Sequence, residues 1–410
     1  MTGLGVVAPN GVGTATFWQS LVAGKSAVDY ISAFDPTPYP SKVAAEVRDF
    51  HPLDFMRRHP AKTAGRSSQF AVASTRLALA DAQLTITPNL SPSVAICYGT
   101  SGGADVFELA ARSLLSQGLT SVSPWAALEY PPHAPASYIA IEMGITGPAI
   151  SVSSNCCTGI DAIRAAASLV GLGQSRVAIA GSSEAPISPV AFATFCALGS
   201  LSTRACLPVQ ASRPYDRLRD GLVISEGAAA LILESRDSAL ARGVPVYAEI
   251  LGSAGASEAI GMRKGDIDGR AMARAITQAI SRSSAHPWDI DHINAHGSSL
   301  QDFDIADSNA FKLALGDHVY KIPITSIKSM IGQPFSAAGS LQASAACLTI
   351  AKQIVPPTIN QEVKDPACDL DYVPNRARVA RVRTVLINGH SFGGSVAALI
   401  IGAAAQDRLD

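Results

Sequence analysis

The sequence predicts an α/β protein built from two similar halves. Short apolar runs rich in β-branched residues alternate with helical runs in two successive series, which is typical of sheets covered by helices. The two series meet near Arg242-Gly243. We therefore predict an N-terminal half, residues 1–242, and a C-terminal half, residues 243–410, although the halves share no visible sequence identity.

In the first half, each predicted strand is a short apolar run that ends at a turn or at glycine. Each predicted helix carries apolar residues at three- and four-residue spacing, as in the run that ends near Asp81. The predicted strands are residues 4–7, 94–97, 148–152, 176–180 and 229–233. The predicted helical faces are Trp18, Leu21 and Val22; Phe70, Ala73, Leu77 and Ala80; part of 125–141; and Ile160, Ile163, Ala167 and Val170.

The second half repeats the alternation. Strands are predicted at residues 246–251, 293–295, 322–325, 383–387 and 396–401, and helices at 270–281, 306–315 and 337–354. Two glycine-rich stretches, 99–103 and 388–395, are interpreted as turns. The first lacks the GxGxxG spacing and the following Lys-Ser/Thr of phosphate-binding loops, so we interpret it as structural.

The stretch from Ser151 to Asp161 organises the chain. Ser154 and Asn155 are residue types that cap helices, so Cys156 and Cys157 are predicted at a helix N-terminus directly after a strand. Unpaired N–H groups and the positive end of the helix dipole stabilise a thiolate there, and its pKa can fall well below about 8.5. The alternative is two small buried residues that fill a helix–sheet contact.

Composition excludes several classes of protein. The net charge of −1 gives no reason to expect nucleic acid or an anionic membrane as a partner. No apolar run is long enough to span a membrane, and the first ten residues do not resemble a secretory signal. The seven cysteines show no metal-ligand spacing, which favours reduced thiols in the cytoplasm. Charged residues make up only 16% of the chain, which indicates extensive burial, including at a subunit interface.

Three further stretches carry residues suited to chemistry. His296 lies at the end of a predicted strand beside glycine, where open α/β sheets bind ligands. Lys328 lies just past another strand in an apolar neighbourhood, and a buried lysine needs a partner. The turn at 388–395 offers closely spaced backbone N–H groups that can stabilise an oxyanion. Each has a purely structural alternative: a buried histidine, a solvated lysine and a hairpin turn.

Together these stretches resemble a known family. The matching pieces are the Cys156 turn, residues 212–221 and 225–228, Asn294-Ala-His-Gly297, Lys328-Ser-Met-Ile-Gly332, Ala337-Ala-Gly339 and Phe392-Gly-Gly394. In order and spacing they resemble the β-ketoacyl-acyl carrier protein (ACP) synthases of fatty acid and type II polyketide synthesis, along essentially the whole chain. The resemblance implies a thiolase-like fold, with two βα halves in a five-layered α-β-α-β-α sandwich, assembled as a dimer.

The resemblance also implies roles for individual residues. Cys156 matches the acyl-accepting cysteine, because the family has its glycine three residues later, here Gly159. His296 matches the first catalytic histidine, Lys328 the structural lysine, and Asp304 an acidic residue behind it. Phe392 matches the gating phenylalanine, whose backbone N–H forms the oxyanion hole with that of Cys156. Ser101 lies near the family's acyl pocket.

The chain departs from the family at several of these positions. Gln333 replaces the second catalytic histidine, and Gln342 replaces the glutamate that pairs with the lysine. The two threonines that contact pantetheine become Ser298 and Leu300. Phe303 stands where glycine is usual, and His390 where phenylalanine is common. An amide at 333 still donates a hydrogen bond but cannot become cationic, and Gln342 leaves Lys328 with a neutral partner.

Three functions follow from the resemblance. The first is a condensing enzyme: Cys156 takes an acyl group from acyl-ACP, and a malonyl-ACP enolate formed by decarboxylation attacks it. The second is an acyltransferase that uses Cys156 without condensation. The third is a partner subunit similar to chain-length factors. All three imply an acyl carrier protein as partner, a homodimer or a heterodimer with a second ketosynthase-like subunit, and no cofactor besides the carrier's phosphopantetheine.

Overall fold

A computed structural model gives the structure of the chain and describes residues 1–204 and 207–404. Cys206, one of the seven predicted thiols, lies outside the described residues, and the other six cysteines are free. The described part holds two larger sheets. The first uses strands between residues 3 and 234, and the second uses strands between residues 249 and 402.

The first sheet has six strands in the order β2-β1-β6-β5-β3-β4. Strand β3 is parallel to β4 and β5, whereas β6 is antiparallel to β5 and β1. Its strands are β1 (Gly3–Ala8), β2 (Gly11–Val12), β3 (Val94–Gly99), β4 (Ala149–Val152), β5 (Val177–Glu184) and β6 (Gly227–Glu234).

The second sheet has five strands in the order β9-β8-β10-β11-β7. Strand β8 is parallel to β9 and β10, and β11 is antiparallel to β10 and β7. This pattern repeats that of five strands of the first sheet, with β4 equivalent to β9 and β5 to β10, whereas β2 has no equivalent. Its strands are β7 (Glu249–Ser257), β8 (His292–Asn294), β9 (Ile324–Thr325), β10 (Thr384–His390) and β11 (Ser395–Gly402).

Helices form the other three layers. The main helices are α1 (Thr14–Val22), α2 (Arg66–Asp81), α3 (Ala104–Gln117), α4 (Ala134–Met143), α5 (Thr158–Gly171), α6 (Pro189–Leu198), α7 (Arg236–Arg242), α8 (Arg270–Ser281), α9 (Gln301–Leu315) and α10 (Ala338–Lys352). Helices α5 and α10 contact both sheets, α2 and α4 cover the outer face of the first sheet, and α8 covers that of the second with α9 packed beside it. The predicted five-layered sandwich of two similar halves is therefore confirmed.

The central layer depends on glycine. A Cβ atom at Gly159 would lie 2.3 Å from the backbone nitrogen of Ser340, and one at Gly339 would lie 2.7 Å from that of Ile160. Helices α5 and α10 therefore touch backbone to backbone at their N-terminal ends. This close contact explains why a glycine follows Cys156 by three residues.

Most predicted elements are present with shifted ends. The strand predicted at 246–251 is displaced to Glu249–Ser257, and α9 begins at Gln301 rather than at 306. The stretch 388–395 is only partly a turn, because β10 continues through His390. Helices α3 and α6 were not predicted. The division at residue 242 and the cytoplasmic location stay predictions. None of the helices within the described ranges is long and apolar enough to cross a membrane.

Candidate active site

Cys156 lies between the two sheets, where β4 gives way to α5. A short 3₁₀ turn, Asn155–Cys157, precedes the helix, and Asn155 has a left-handed φ of 51°. The predicted strand–turn–helix is thus present, but the predicted caps are wrong: neither side chain accepts a cap hydrogen bond. The Ser154 hydroxyl instead donates to Asp161 Oδ2 at 2.6 Å, because the 3₁₀ turn moves it off the helix end.

The predicted low pKa of Cys156 is also contradicted. The residue is only 2% exposed, and burial raises the pKa of its thiol to about 12. The Lys328 ammonium and a hydrogen bond from Gln333 lower that pKa, but they do not offset burial. Cys156 is therefore a thiol at neutral pH, and its proton must leave as the sulfur attacks.

We expect alkylation of Cys156 by iodoacetamide to be slow at pH 8. Only the thiolate reacts, and a more basic thiolate is intrinsically more nucleophilic, so a pKa of about 12 slows the reaction roughly 30- to 1,000-fold relative to a free cysteine. The rate should still rise about tenfold per pH unit between pH 7 and 10. Peptide mass spectrometry measures it at Cys156 alone, and a plateau below pH 8 would contradict the high pKa.

Gln333 contacts the nucleophile directly. Its Nε2 donates to Cys156 Sγ at 3.1 Å, and the residue is 2% exposed. The backbone of Gln333 is fixed from both sides, because its N–H donates to the Val223 carbonyl and its carbonyl accepts from Ser225. Its Oε1 has no hydrogen-bond partner among the described residues. The structure thus brings Gln333 to the thiol as a neutral donor.

Lys328 is buried, and no carboxylate in the described part of the chain is in contact with it. Its Nζ donates to the His296 carbonyl at 2.5 Å and to Gln342 Oε1 at 3.3 Å. Burial lowers the pKa of Lys328 to about 8, against the charges of Cys156, Asp307 and Asp304, which raise it. Gln342 is thus in contact with Lys328 as the neutral partner that the sequence analysis predicts.

Gln342 is fixed in one orientation. Its Nε2 lies among three backbone carbonyl oxygens, those of Asn294, Ala295 and Asn388, at 3.0–3.2 Å. Carbonyls only accept, so the amide nitrogen must face them and Oε1 must face Lys328. Gln342 therefore joins the ends of β8 and β10 to the lysine.

His296 is buried directly after β8. The backbone N–H of His390 donates to its Nδ1 at 3.3 Å. An Nδ1 that accepts leaves the proton on Nε2. Burial, with the nearby Lys328 charge, also lowers the pKa of His296 well below its usual value. His296 is thus a neutral imidazole whose Nε2–H is available as a donor.

Two carboxylates hold the loop that follows His296. Asp304 accepts backbone N–H bonds from Tyr215, Ser298 and Ser299, and its Oδ2 is 3.4 Å from Arg219 Nε. Burial raises the pKa of Asp304 to about 7 against these partners. Asp307, which the sequence analysis missed, accepts from the N–H of Gly297 and from Asn388 Nδ2. Its place three residues after Asp304, on the same face of α9, is the signal that could have revealed it.

Three of the other residues that the sequence analysis named, Leu300, Phe303 and Phe392, line one cavity. Leu300 and Phe392 pack against the apolar cluster that contains Cys156. Ser298 Oγ accepts from the Leu300 N–H at 3.4 Å. Phe303 packs its ring 5.4 Å from that of Phe392. This cavity has a volume of about 450 Å³. Its lining includes Leu300, Phe303, Phe392, Arg219 and Arg263.

Ser101 belongs to a separate polar group near the nucleophile. Its Oγ is 2.6 Å from Ser336 Oγ, and its N–H donates to Glu184 Oε2 at 3.1 Å. Glu184 ends β5, and burial raises its pKa. The sequence analysis missed Glu184, which lies four residues beyond the strand predicted at 176–180. His390, predicted in a turn, instead ends β10 and is buried against Glu258.

Comparison with known proteins gives a consistent result. The N-terminal domain model of the β-ketoacyl synthase family matches residues 1–239, and the C-terminal domain model matches residues 247–362. The tetracenomycin polyketide synthase ketoacyl synthase alpha subunit of Streptomyces glaucescens is 40% identical over 100% of this chain and 97% of its own. The 3-oxoacyl-(acyl-carrier-protein) synthase 2 of Synechocystis sp. is 38% identical over 96% of this chain and 95% of its own.

Solved structures agree with this assignment. A type II polyketide ketosynthase, solved in complex with its acyl carrier protein and bound to a hexaketide, superposes with a TM-score of 0.91 at 33% identity over 98% of both chains. The ishigamide ketosynthase/chain length factor superposes with a TM-score of 0.92 at 32% identity over 99% of this chain and 98% of that one. The chain belongs to the β-ketoacyl synthase family.

Proposed function

We propose that this protein is a condensing acyltransferase that makes 3-ketoacyl-ACP from acyl-ACP and malonyl-ACP. One observation carries the proposal: the Cys156 thiol lies within hydrogen-bonding distance of Gln333, beside the lysine that holds the His296 carbonyl. A nucleophile, two neutral donors and one cation are thus collected in a single buried site. The named relatives, which are ketoacyl synthases, support the assignment.

The first step is acyl transfer between thiols. Cys156 Sγ attacks the acyl-ACP thioester, the new S–C bond forms, and the bond to the pantetheine sulfur breaks. The thiol proton ends on the departing pantetheine sulfur, so the exchange needs no net proton uptake or release. The backbone N–H of Phe392 has no acceptor among the described residues, which supports its assignment to the oxyanion hole together with that of Cys156.

The second step is decarboxylative condensation. Malonyl-ACP loses carbon dioxide, and the resulting enolate carbon attacks the acyl carbonyl on Cys156 and expels the sulfur, which takes up one proton. We assign His296 Nε2–H and the Gln333 amide to stabilise the enolate oxygen. Neither group needs to carry charge for this task, because neutral hydrogen-bond donors stabilise oxyanions. Removal of one such donor typically raises the barrier by about 2.7–4 kcal/mol.

We further propose that the pantetheine arm enters through the 450 Å³ cavity. Leu300 and Phe392 give it an apolar wall, while Ser298 is held by the loop backbone. The solved relative that binds its acyl carrier protein supports a carrier as partner here. Leu300 cannot hydrogen-bond through its side chain, so the arm must rely more on packing at that point.

Dimerisation is the second part of the proposal about partners. Strand β4 ends the first sheet, and Ala149, Ile150 and Ser151 are exposed there. An unpaired strand edge with exposed apolar side chains favours pairing with another chain. We assign β4 to the interface with a second copy or with a ketosynthase-like partner, and light scattering of the purified protein, alone and with such a partner, distinguishes these two.

Intact mass spectrometry tests the function. The protein is first incubated with an acyl-ACP and then with malonyl-ACP. Acylation of Cys156 followed by a 3-ketoacyl-ACP product supports the condensing enzyme. Acylation with malonyl-ACP left intact favours the acyltransferase without condensation, for which the neutral Gln333 is the specific argument. A lack of any acyl adduct favours the partner-subunit function, against which the retained Cys156 argues.

We expect His296→Ala to separate the two steps. Loss of one enolate donor should slow malonyl-ACP decarboxylation about 10²- to 10³-fold, while Cys156 acylation changes less than about threefold. Rapid-quench measurement of carbon dioxide release and of acyl-enzyme formation checks the two rates separately. An equal fall in both rates would remove His296 from the second step.

A further inference from the structure

A buried histidine–carboxylate pair lies behind the segment that carries Phe392. His390 Nε2 is 2.8 Å from Glu258 Oε1, and both side chains are 1% exposed. The two groups are in close contact without hydrogen-bond geometry, and the side-chain nitrogens of His390 and oxygens of Glu258 have no hydrogen-bond partner among the residues that the structure describes. Each is therefore the other's only polar contact there, and removal of one leaves the other buried and unpaired.

The backbone ties the same two segments together. Glu258 directly follows β7, and its N–H donates to the Gly394 carbonyl at 2.9 Å. The Gly393 N–H donates to the Met262 carbonyl at 3.0 Å. The turn of residues 391–394 is thus joined to the segment of residues 258–262 by two backbone hydrogen bonds and by the His390–Glu258 pair.

Few other groups surround the His390 ring. The Phe303 ring centre lies 4.3 Å away, and that of His296 lies 6.1 Å away. A Cβ atom on Gly265 would come within 3.4 Å of His390 Nε2, so the backbone at 265 closes the pair from the far side. The Asp307 carboxylate is the other charge that interacts with His390. The contact with Glu258 therefore sets where this side chain lies.

The backbone of His390 reaches the reaction site. Its N–H donates to Nδ1 of His296, and this bond keeps the His296 proton on Nε2. The side chain of His390 is thus held by Glu258, and the backbone of His390 in turn holds His296. A shift of the end of β10 would lengthen a bond that is already 3.3 Å long and release the tautomer of His296.

We propose that Glu258 is a positioning residue that acts through His390: it fixes the end of β10 and thereby keeps the Nε2–H of His296 available to the enolate. The inference rests on the proposed function, because that function gives His296 its task. It extends the function by a residue that does not touch the substrate and lies in another segment of the chain.

The tautomer of His296 tests the proposal without any substrate. The full chain is labelled with ¹⁵N-histidine, and the His296 ring signals are assigned by comparison with His296→Gln. The wild type should show the Nε2–H tautomer, and Glu258→Leu should show a mixture of tautomers. Glu258→Gln keeps an acceptor for His390 and should restore the wild-type spectrum. An unchanged tautomer in a folded Glu258→Leu variant would overturn the proposal.

A kinetic measurement gives the second readout. Glu258→Leu should slow malonyl-ACP decarboxylation roughly 10- to 100-fold and Cys156 acylation less than about threefold. The double variant Glu258→Leu/His390→Phe, in which an apolar pair replaces the polar one, should regain part of the loss. Equal losses in both steps, or no loss, would overturn the proposal. A wild-type protein that is inactive toward malonyl-ACP would overturn the proposed function instead, and the tautomer measurement would then decide whether Glu258 positions His296.

Glu234→Leu is the matched control. Glu234 is also a buried carboxylate with an ion-pair partner, since its side chain is 0% exposed and lies 2.8 Å from Arg242. It ends β6, remote from His296 in the first sheet. The control should lower stability while leaving the His296 tautomer and the ratio of the two rates unchanged.

Discussion

Replacing Cys156 by alanine should abolish acyl-enzyme formation and lower 3-ketoacyl-ACP synthesis by at least about 10³-fold. Removal of the covalent nucleophile eliminates the acyl-enzyme thioester, through which the reaction proceeds in two steps, and alanine cannot form it. The structure makes the effect specific, because Gln333 Nε2 donates to this sulfur at 3.1 Å. Intact mass and product formation measure the two losses on the same sample.

The adjacent cysteine supplies a matched control. Cys157 is also buried, at 1% exposed, and burial raises the pKa of its thiol as well. Its Sγ, however, donates to the Ser395 carbonyl, so it faces β11 rather than Gln333. We expect Cys157→Ala to keep acyl loading within about threefold of wild type. Acylation that survives in Cys156→Ala but not in Cys157→Ala would reverse the assignment.

Gln342→Leu should cost about 3–5 kcal/mol of unfolding free energy at pH 7. The substitution leaves three buried carbonyls without their donor and takes from Lys328 one of its two hydrogen-bond acceptors. Thermal denaturation at fixed protein concentration measures the loss. Ser344→Ala, on the same helix and with a single bond to the Ser340 carbonyl, is the control and should cost about 1 kcal/mol or less.

The loss should depend on pH in a definite direction. The pKa of Lys328 in the folded protein, about 8, lies below its ordinary value, so this side chain binds more protons in the unfolded chain above pH 8 and its own contribution to wild-type stability rises there. Gln342→Leu removes an acceptor of the ammonium and lowers that pKa further. The deficit relative to wild type should therefore be smaller at pH 9.5 than at pH 7, and a deficit that grows with pH would contradict this account.

The order of the elements and the position of the nucleophile could be predicted because both depend on local pattern. Alternating apolar runs revealed the sheets, and a strand followed by a helical run located Cys156. The equivalence of five strands in each of the two sheets could not be seen, because it depends on pairing between segments that share no sequence identity. Helices α3 and α6 escaped prediction for a different reason. In α3 only Glu108 is fully buried, so its sequence lacks a buried apolar face.

The pKa values of the site residues were harder to predict than which residues form the site. A helix N-terminus suggests a low thiol pKa, but the burial that opposes it comes from both sheets and is invisible in one stretch of sequence. The partners of Asp307 and Glu258 lie up to 132 residues away along the chain. Gln342 was expected only to be neutral, whereas its three carbonyl contacts come from two strands that meet only after folding.

The backbone contact between α5 and α10 has a consequence for motion. Cys156 precedes one of these helices and Gln333 precedes the other, so the two groups are carried by the layer in which Gly159 and Gly339 leave no space for sliding. A hinge motion that moved the two sheets apart would have to break this contact and separate the Cys156 sulfur from the Gln333 amide. Substrate entry must then come from movement of the surface turns, while the sulfur-to-amide spacing stays constant through the catalytic cycle.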